Sequence, residues 1–214
     1  MGAGVSYADF LEVVREHLPQ LKDYLLRIGG AQVRAAGTLG GNIANGSPIG
    51  DIPPALIPLE ALITLRSAQS RRNLPLADFF IEYGKQDLSP GEFVETVSFK
   101  TPKAGQLYKA HKLSKRRNED ISTVAGGFLI EREGGVVTKA RFAYGGMAGT
   151  PQRAVAAETA LLGRSWDEAA VKEAMTAITA DFTPLSDARA SADYRMLSAQ
   201  NMLLRFFHES EASL

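Results

Sequence analysis

Residues 37–51 read GTLGGNIANGSPIGD. Five of these fifteen residues are glycine, and the rest include two asparagines, a threonine, a serine and a closing aspartate. Glycine loses more freedom on ordering than any other residue, so such a run marks backbone that turns tightly or approaches a ligand closely. Consecutive glycines let backbone N–H groups converge on an anion without side chains in the way. Thr38, Ser47, Asn42 and Asn45 add donors, and Asp51 adds an acceptor for ribose or ribityl hydroxyls. That mix suits a pyrophosphate carrying polyols; the alternative is a structural turn between packed elements. Two nucleotide motifs are excluded. Gly41 and Gly46 have the glycine spacing of a Walker A loop, but Ser47 stands where the phosphate-binding lysine belongs. Gly37, Gly40 and Gly41 do not make the GxGxxG turn of a dinucleotide fold.

Working outward, residues 6–28 carry Phe10, Val14, Leu18, Leu21 and Leu25 at helical spacing, with Ser6 and Asp9 placed as a capping box. Pro19 should split this stretch into two helices. DIPPALIPLEALITL (51–65) predicts a short apolar helix and a strand ending near Arg66. RRNLPLADFF (71–80) predicts a strand and turn, and EFVETVSFK (92–100) a strand with Phe93, Val97 and Phe99 on one face. After TPKAG (101–105) the pattern changes to three strands, QLYKAHKLS (106–114), STVAGGFLIER (122–132) and VVTKARFAYGG (136–146). Glu133, Gly134 and Gly135 join the last two as a hairpin. In the first of them Tyr108, Ala110 and Lys112 share a face opposite Leu107 and Leu113. Two helices should follow. One is capped by Thr150, with Pro151 first and a stop at Gly163. The other is opened by the capping box Ser165–Glu168 and runs to about residue 180. A last helix covers 192–208. The expected architecture is α+β in two parts: a mixed part over 1–103, then over 106–209 a three-stranded antiparallel sheet backed by helices.

Composition narrows the function. In 214 residues, 24 Lys+Arg balance 24 Asp+Glu, so no global field favours nucleic acid or an anionic membrane. No apolar run reaches transmembrane length, and MGAGVSYADF is no secretion signal. There is no cysteine, which excludes disulfides, thiol nucleophiles and cysteine-held iron–sulfur clusters in this chain and points to the cytoplasm. The three histidines (His17, His111, His208) are too scattered for a metal site.

QVRAAGTLGGNIANGSPIGD (32–51) resembles the second flavin-binding segment in the FAD domain of molybdenum hydroxylases, closest to the small subunit of bacterial xanthine dehydrogenases. RIGGAQVR (27–34) precedes it as in that family. YKAHKLSKRRNEDISTVAGGF (108–128) resembles the start of the family's C-terminal flavoprotein domain, and YGGMAGTPQRA (144–154) its later strand-to-helix turn. The resemblance covers essentially the whole chain. It implies the second half of a PCMH-type FAD-binding domain, followed by a domain like the C-terminal one of the CO dehydrogenase flavoprotein. It also implies bound FAD, a molybdenum-cofactor subunit and a [2Fe–2S] domain as partners in a hetero-oligomer, and NAD as the electron acceptor. Carried over by motif, Thr38, Leu39, Gly40, Gly41, Asn42 and Asp51 would contact FAD, Ile28 would touch it just upstream, and Val94 and Lys112 would lie near it. Lys112 would supply positive charge to reduced flavin; its neighbours Lys115, Arg116 and Arg117 read as a solvated turn balanced by Glu119 and Asp120. None of these residues is expected to be catalytic.

In the family a strand-rich subdomain with a GGxT loop comes first and completes the pyrophosphate site. The resemblance therefore implies a chain that starts inside that subdomain and holds half of the site, with MGAG at a strand end. Two alternatives follow: a structural or interaction module that does not bind FAD alone, and the medium FAD subunit of a carbon monoxide dehydrogenase-like enzyme with another acceptor.

Overall fold

A computed structural model describes residues 1–212. Ser6 caps α1 (Tyr7–His17), its hydroxyl accepting from the Asp9 N–H at 3.1 Å. Pro19 ends that helix as expected: a 3₁₀ turn, Pro19–Leu21, leads into α2 (Lys22–Leu25). Two short helices follow, α3 (Ala31–Ala36) and α4 (Leu39–Ala44), then the apolar α5 (Ile52–Leu56).

The first sheet contains β1 (Leu62–Arg66), β2 (Arg71–Pro75) and, past the small hairpin β3 (Phe80–Glu82) and β4 (Lys85–Gln86), the strand β5 (Phe93–Ser98). Its order is β2-β1-β5, all antiparallel. Residues 1–3 line the far side of β5, with Ala3 N–H bonded to Glu95 O at 2.9 Å and Val97 N–H to Met1 O at 3.0 Å. The expected face of β5 needs correcting. Leu65 pairs with Val94 while Thr64 pairs with Thr96, so Glu95 is an extra, bulged residue. A bulge shifts the alternation by one. Val94 and Val97 therefore both point into the core, and Phe93 is turned out, 55% exposed.

The second sheet runs β6 (Gln106–Leu113), β7 (Val124–Glu133), β8 (Val136–Gly145) and β9 (Gln152–Arg153) in that order, antiparallel throughout. Gly134 and Gly135 close the β7–β8 hairpin with φ of 58° and 84°, the left-handed pair that a two-residue turn between right-twisted strands requires. The sheet thus has four strands rather than three. Gln152 and Arg153 pair with Tyr144 and Ala143, so α6 (Val155–Leu161) begins after them and Thr150 does not cap it. α7 (Glu168–Asp181) is capped by Asp167, whose side chain accepts from Ala170 N–H, and not by Ser165. α8 (Ala192–Glu211) is capped by Ser191.

This sheet separates two apolar cores. Tyr108, Ala125, Leu129 and Ala143 face the first, with α1, α4, α5 and the first sheet. Phe128, Ile130, Phe142 and Tyr144 face the second, closed by α6, α7 and α8. β6 keeps the predicted alternation, since Ala110 packs on the first core and Leu107 and Leu113 on the second.

His111, also on the second-core face, is 7% exposed, its ring 5.7 Å from that of Phe128. Burial pushes it down to about 4 from 6.5; the nearby Glu209 charge opposes the shift, while Arg205 and Lys109 add to it. A group whose folded value is lowered stabilises the fold above its unfolded value and loses that contribution as pH falls. Stability is therefore expected to decline as pH falls from ~6.5 to ~4, by up to about 1.4 kcal/mol for each pH unit crossed. Urea titrations at pH 7 and 5 should show a smaller pH difference in His111→Gln than in the parent; an equal difference would assign the acid sensitivity elsewhere.

Candidate functional site

The glycine-rich segment lies where the two parts meet. Thr38 caps α4, accepting from Gly41 N–H at 3.0 Å. The expectation of bare N–H groups over consecutive glycines is corrected by this helix. Leu39 N–H donates to Val5 O at 3.0 Å, Gly40 N–H to Ala3 O at 2.8 Å and Asn42 N–H to Thr38 O at 3.1 Å. The two glycines also differ in purpose. A Cβ on Gly40 would sit 2.4 Å from Ala3 Cβ and 2.9 Å from Ala3 O, so Gly40 is dictated by the strand beneath it. Gly41 is exposed, and a Cβ there would meet only its own capping oxygen, Thr38 Oγ1, at 2.8 Å. An exposed helical glycine costs about 1 kcal/mol relative to alanine, and apart from that capping hydroxyl no internal contact calls for this one.

Beyond α4 the chain bends through Gly46, at φ 61°, and is tied to the second sheet where Gly146 N–H bonds Pro48 O at 2.7 Å. A cavity of about 330 Å³ opens here, with Asn42, Asn45, Ser47 and Asp51 on one side and Glu119 and Asp120 on the other. Asn42 Oδ1 accepts from Ile52 N–H at 3.2 Å, which fixes its amide.

Asp51 is not a free acceptor. Lys112 reaches it from β6, Nζ to Oδ2 at 2.7 Å, with the lysine side chain only 1% exposed. Ser122 Oγ accepts from Lys112 Nζ at 2.9 Å and donates to Asp51 Oδ1 at 2.5 Å. Tyr24 O–H donates to Asp51 O at 2.6 Å. Burial and then the Asp51 charge raise the Tyr24 and Tyr7 phenols above their ordinary value, so both stay neutral beside the carboxylate. Arg27 fastens the strand end: Nη1 bonds Lys112 O, Nη2 bonds Ser114 Oγ at 3.1 Å and Nε bonds Arg117 O at 3.1 Å.

The sequence-derived residues thus fall into two groups. Asn42 and Asp51 line the open cavity, Gly41 is exposed beside Asn42, Lys112 lies behind Asp51 and Thr38 caps the helix. The side chains of Ile28, Leu39 and Val94 belong to the first core, and Gly40 is covered by Ala3. Any ligand contact by Leu39 passes through its backbone. Tyr24, Arg27 and Ser122 were not anticipated; a tyrosine in a short helix, an arginine just after it and a serine ahead of a strand carry no local signal.

The residues fit FAD. Gly41 leaves room for close approach, the Asn42 and Asn45 amides and the Ser47 hydroxyl suit phosphate and polyol oxygens, and Lys112 offsets the Asp51 charge that would repel a pyrophosphate. Among the described residues no helix is long and apolar enough to cross a membrane, and no histidine–carboxylate group suits a metal.

The sequence matches two family patterns. Residues 1–104 match the FAD binding domain in molybdopterin dehydrogenase, and residues 109–210 the CO dehydrogenase flavoprotein C-terminal domain. Glyceraldehyde dehydrogenase medium chain from Sulfolobus acidocaldarius is 30% identical over 98% of this chain and 74% of its own length. Xanthine dehydrogenase/oxidase from Gallus gallus is 31% identical over 81% of this chain, which spans 14% of that protein. In the solved structure of carbon monoxide dehydrogenase from Hydrogenophaga pseudoflava, a chain superposes with a TM-score of 0.88 at 33% identity, over 95% of this chain and 71% of that one. Fold and site thus define an FAD-binding flavoprotein class. Within it, the chain belongs to the family of FAD-binding medium chains of CO- and xanthine-type molybdenum hydroxylases.

Proposed function

We propose that this chain is the FAD-binding portion of a xanthine dehydrogenase-like molybdenum hydroxylase of the cytoplasm. In this reading substrate is oxidised at a molybdenum cofactor on a partner subunit, electrons arrive through [2Fe–2S] clusters outside this chain, and NAD⁺ receives them. FAD, when bound, supplies the junction between one-electron delivery and two-electron transfer. The chain's own residues bind and orient. Thr38 holds α4 so that Gly41 presents an open face, Asn42, Asn45 and Ser47 supply donors, and the Lys112–Asp51 pair sets the local charge. Ile28, Leu39, Gly40 and Val94 shape the wall behind them. The two residue stretches are proposed as units of the site, 1–103 carrying α4 and Asp51 and 106–209 carrying Lys112.

The observation that carries this reading is Gly41, an exposed helical glycine against which only the Thr38 capping hydroxyl packs. Gly41→Val is expected to leave the fold intact: valine is no worse than glycine in a helix, and the one atom that must give way is the Thr38 capping hydroxyl, at a cost of about 1 kcal/mol. Its side chain fills the space a cofactor would occupy, and FAD affinity of the holoprotein should fall at least about tenfold, the order of one lost charge-assisted contact. Flavin stoichiometry and circular dichroism on one sample check this. Full flavin occupancy in the variant would make the segment a turn and nothing more.

A second reading is favoured by the likeness to carbon monoxide dehydrogenase, whose medium chain from Afipia carboxidovorans is 31% identical over 96% of this chain. In that reading the chain is a medium FAD subunit of a carbon monoxide dehydrogenase-like enzyme, whose flavin serves a different acceptor. Reduction of NAD⁺ by the substrate-reduced complex separates the two.

A further inference from the structure

Ser122 is 1% exposed and bonds both members of the Lys112–Asp51 pair. Neutralising the pair does not require it, since Nζ and Oδ2 already meet at 2.7 Å. Its effect is on orientation. With Lys112 on Oδ2 and Ser122 on Oδ1, both carboxylate oxygens are held and the group cannot turn about its Cβ–Cγ bond. The same hydroxyl takes a second of the three ammonium N–H groups, which fixes the direction of the third. Tyr24 holds the Asp51 carbonyl, so main chain and side chain of that residue are both anchored. Ser122 comes from the end of the loop before β7, next in the chain to Glu119, Asp120 and Ile121, which line the cavity, so it also couples that loop to the pair across the junction of the two cores.

We propose that Ser122 is a positioning residue of the FAD site, setting the orientation in which Asp51, backed by Lys112, meets the cofactor. The proposal rests on the reading that Asp51 contacts FAD. Its test is a double-mutant cycle on the FAD-loaded protein, read as the rate of FAD release from recovery of flavin fluorescence, with thermal melting of the same samples. Ser122→Ala is expected to speed release about tenfold, the scale of one hydrogen bond to a charged group. In an Asp51→Asn background it should add nothing further, because it acts through Asp51. Should Asp51→Asn not fold, the cycle is run in Asp51→Asn/Lys112→Met, which removes both buried charges.

A role confined to holding the fold predicts otherwise. Ser122→Ala would then lower the melting temperature while leaving release unchanged, or would multiply release by the same factor in both backgrounds. Either result overturns the proposal. If Asp51→Asn itself leaves release unchanged, the reading of Asp51 as a cofactor contact fails, which is a distinct result and removes the proposal with it.

Discussion

Lys112→Met is expected to destabilise the protein by about 3–5 kcal/mol, the cost of leaving one partner of a buried ion pair uncompensated. The lysine side chain is 1% exposed and that of Asp51 12% exposed, so water reaching the carboxylate from the cavity replaces the lost ammonium only in part. Asp51 would keep only the Ser122 hydroxyl on its carboxylate, and its main chain the Tyr24 bond. Adding Asp51→Asn to the same variant should recover most of the loss, because an amide carries no charge to strand; pairs replaced together are often nearly neutral. Urea denaturation of the three proteins checks both parts. A single variant within about 1 kcal/mol of the parent would mean that the pair is solvated in solution. Flavin affinity should also fall in Lys112→Met, so stability and cofactor release must be measured separately.

Gly127→Ala should be nearly as costly, although it adds one methyl group. Gly127 lies in β7 on the face toward the first core, where α5 crosses the sheet. A Cβ there would stand 2.1 Å from Pro54 O and 3.0 Å from Pro54 C. Both are backbone atoms of a helix turn stiffened by Pro53 and Pro54, so they cannot swing aside as a side chain would. Overpacking typically costs about 1–3 kcal/mol, and this substitution belongs at the upper end, since the sheet or α5 must move as a unit. Gly126→Ala offers the comparison. Its Cβ would meet Phe128 Cζ at 2.8 Å and Tyr144 Cε1 at 3.3 Å, both side-chain atoms that can shift. Chemical denaturation should rank Gly127→Ala as the less stable of the two; the reverse order would show that α5 is not seated on β7 as described.

Much of the architecture was readable because it is local. The Gly134–Gly135 turn, the Ser6 cap, the break at Pro19 and the alternation that puts Lys112 on the first-core face each depend on a few neighbouring residues. The tertiary structure decided what depends on distant ones. Glu95 became a bulge because the register of β5 on β1 required it, which turned Phe93 outward. Gln152 and Arg153 became a strand because the edge of β8 was open to them, which moved the start of α6. The glycines at 40 and 41 are helical and their N–H groups engaged, Gly40 by Ala3 O of the N-terminal segment that runs alongside and Gly41 by the Thr38 hydroxyl. The clearest division is at the site. The residue types of the glycine-rich segment, Thr38 through Asp51, are visible in the chain and carry the family resemblance. That Asp51 is bound by a lysine 61 residues away and a serine 71 residues away is not. A buried charge finds its partner through the packing of whole elements, and sequence periodicity holds no record of that distance.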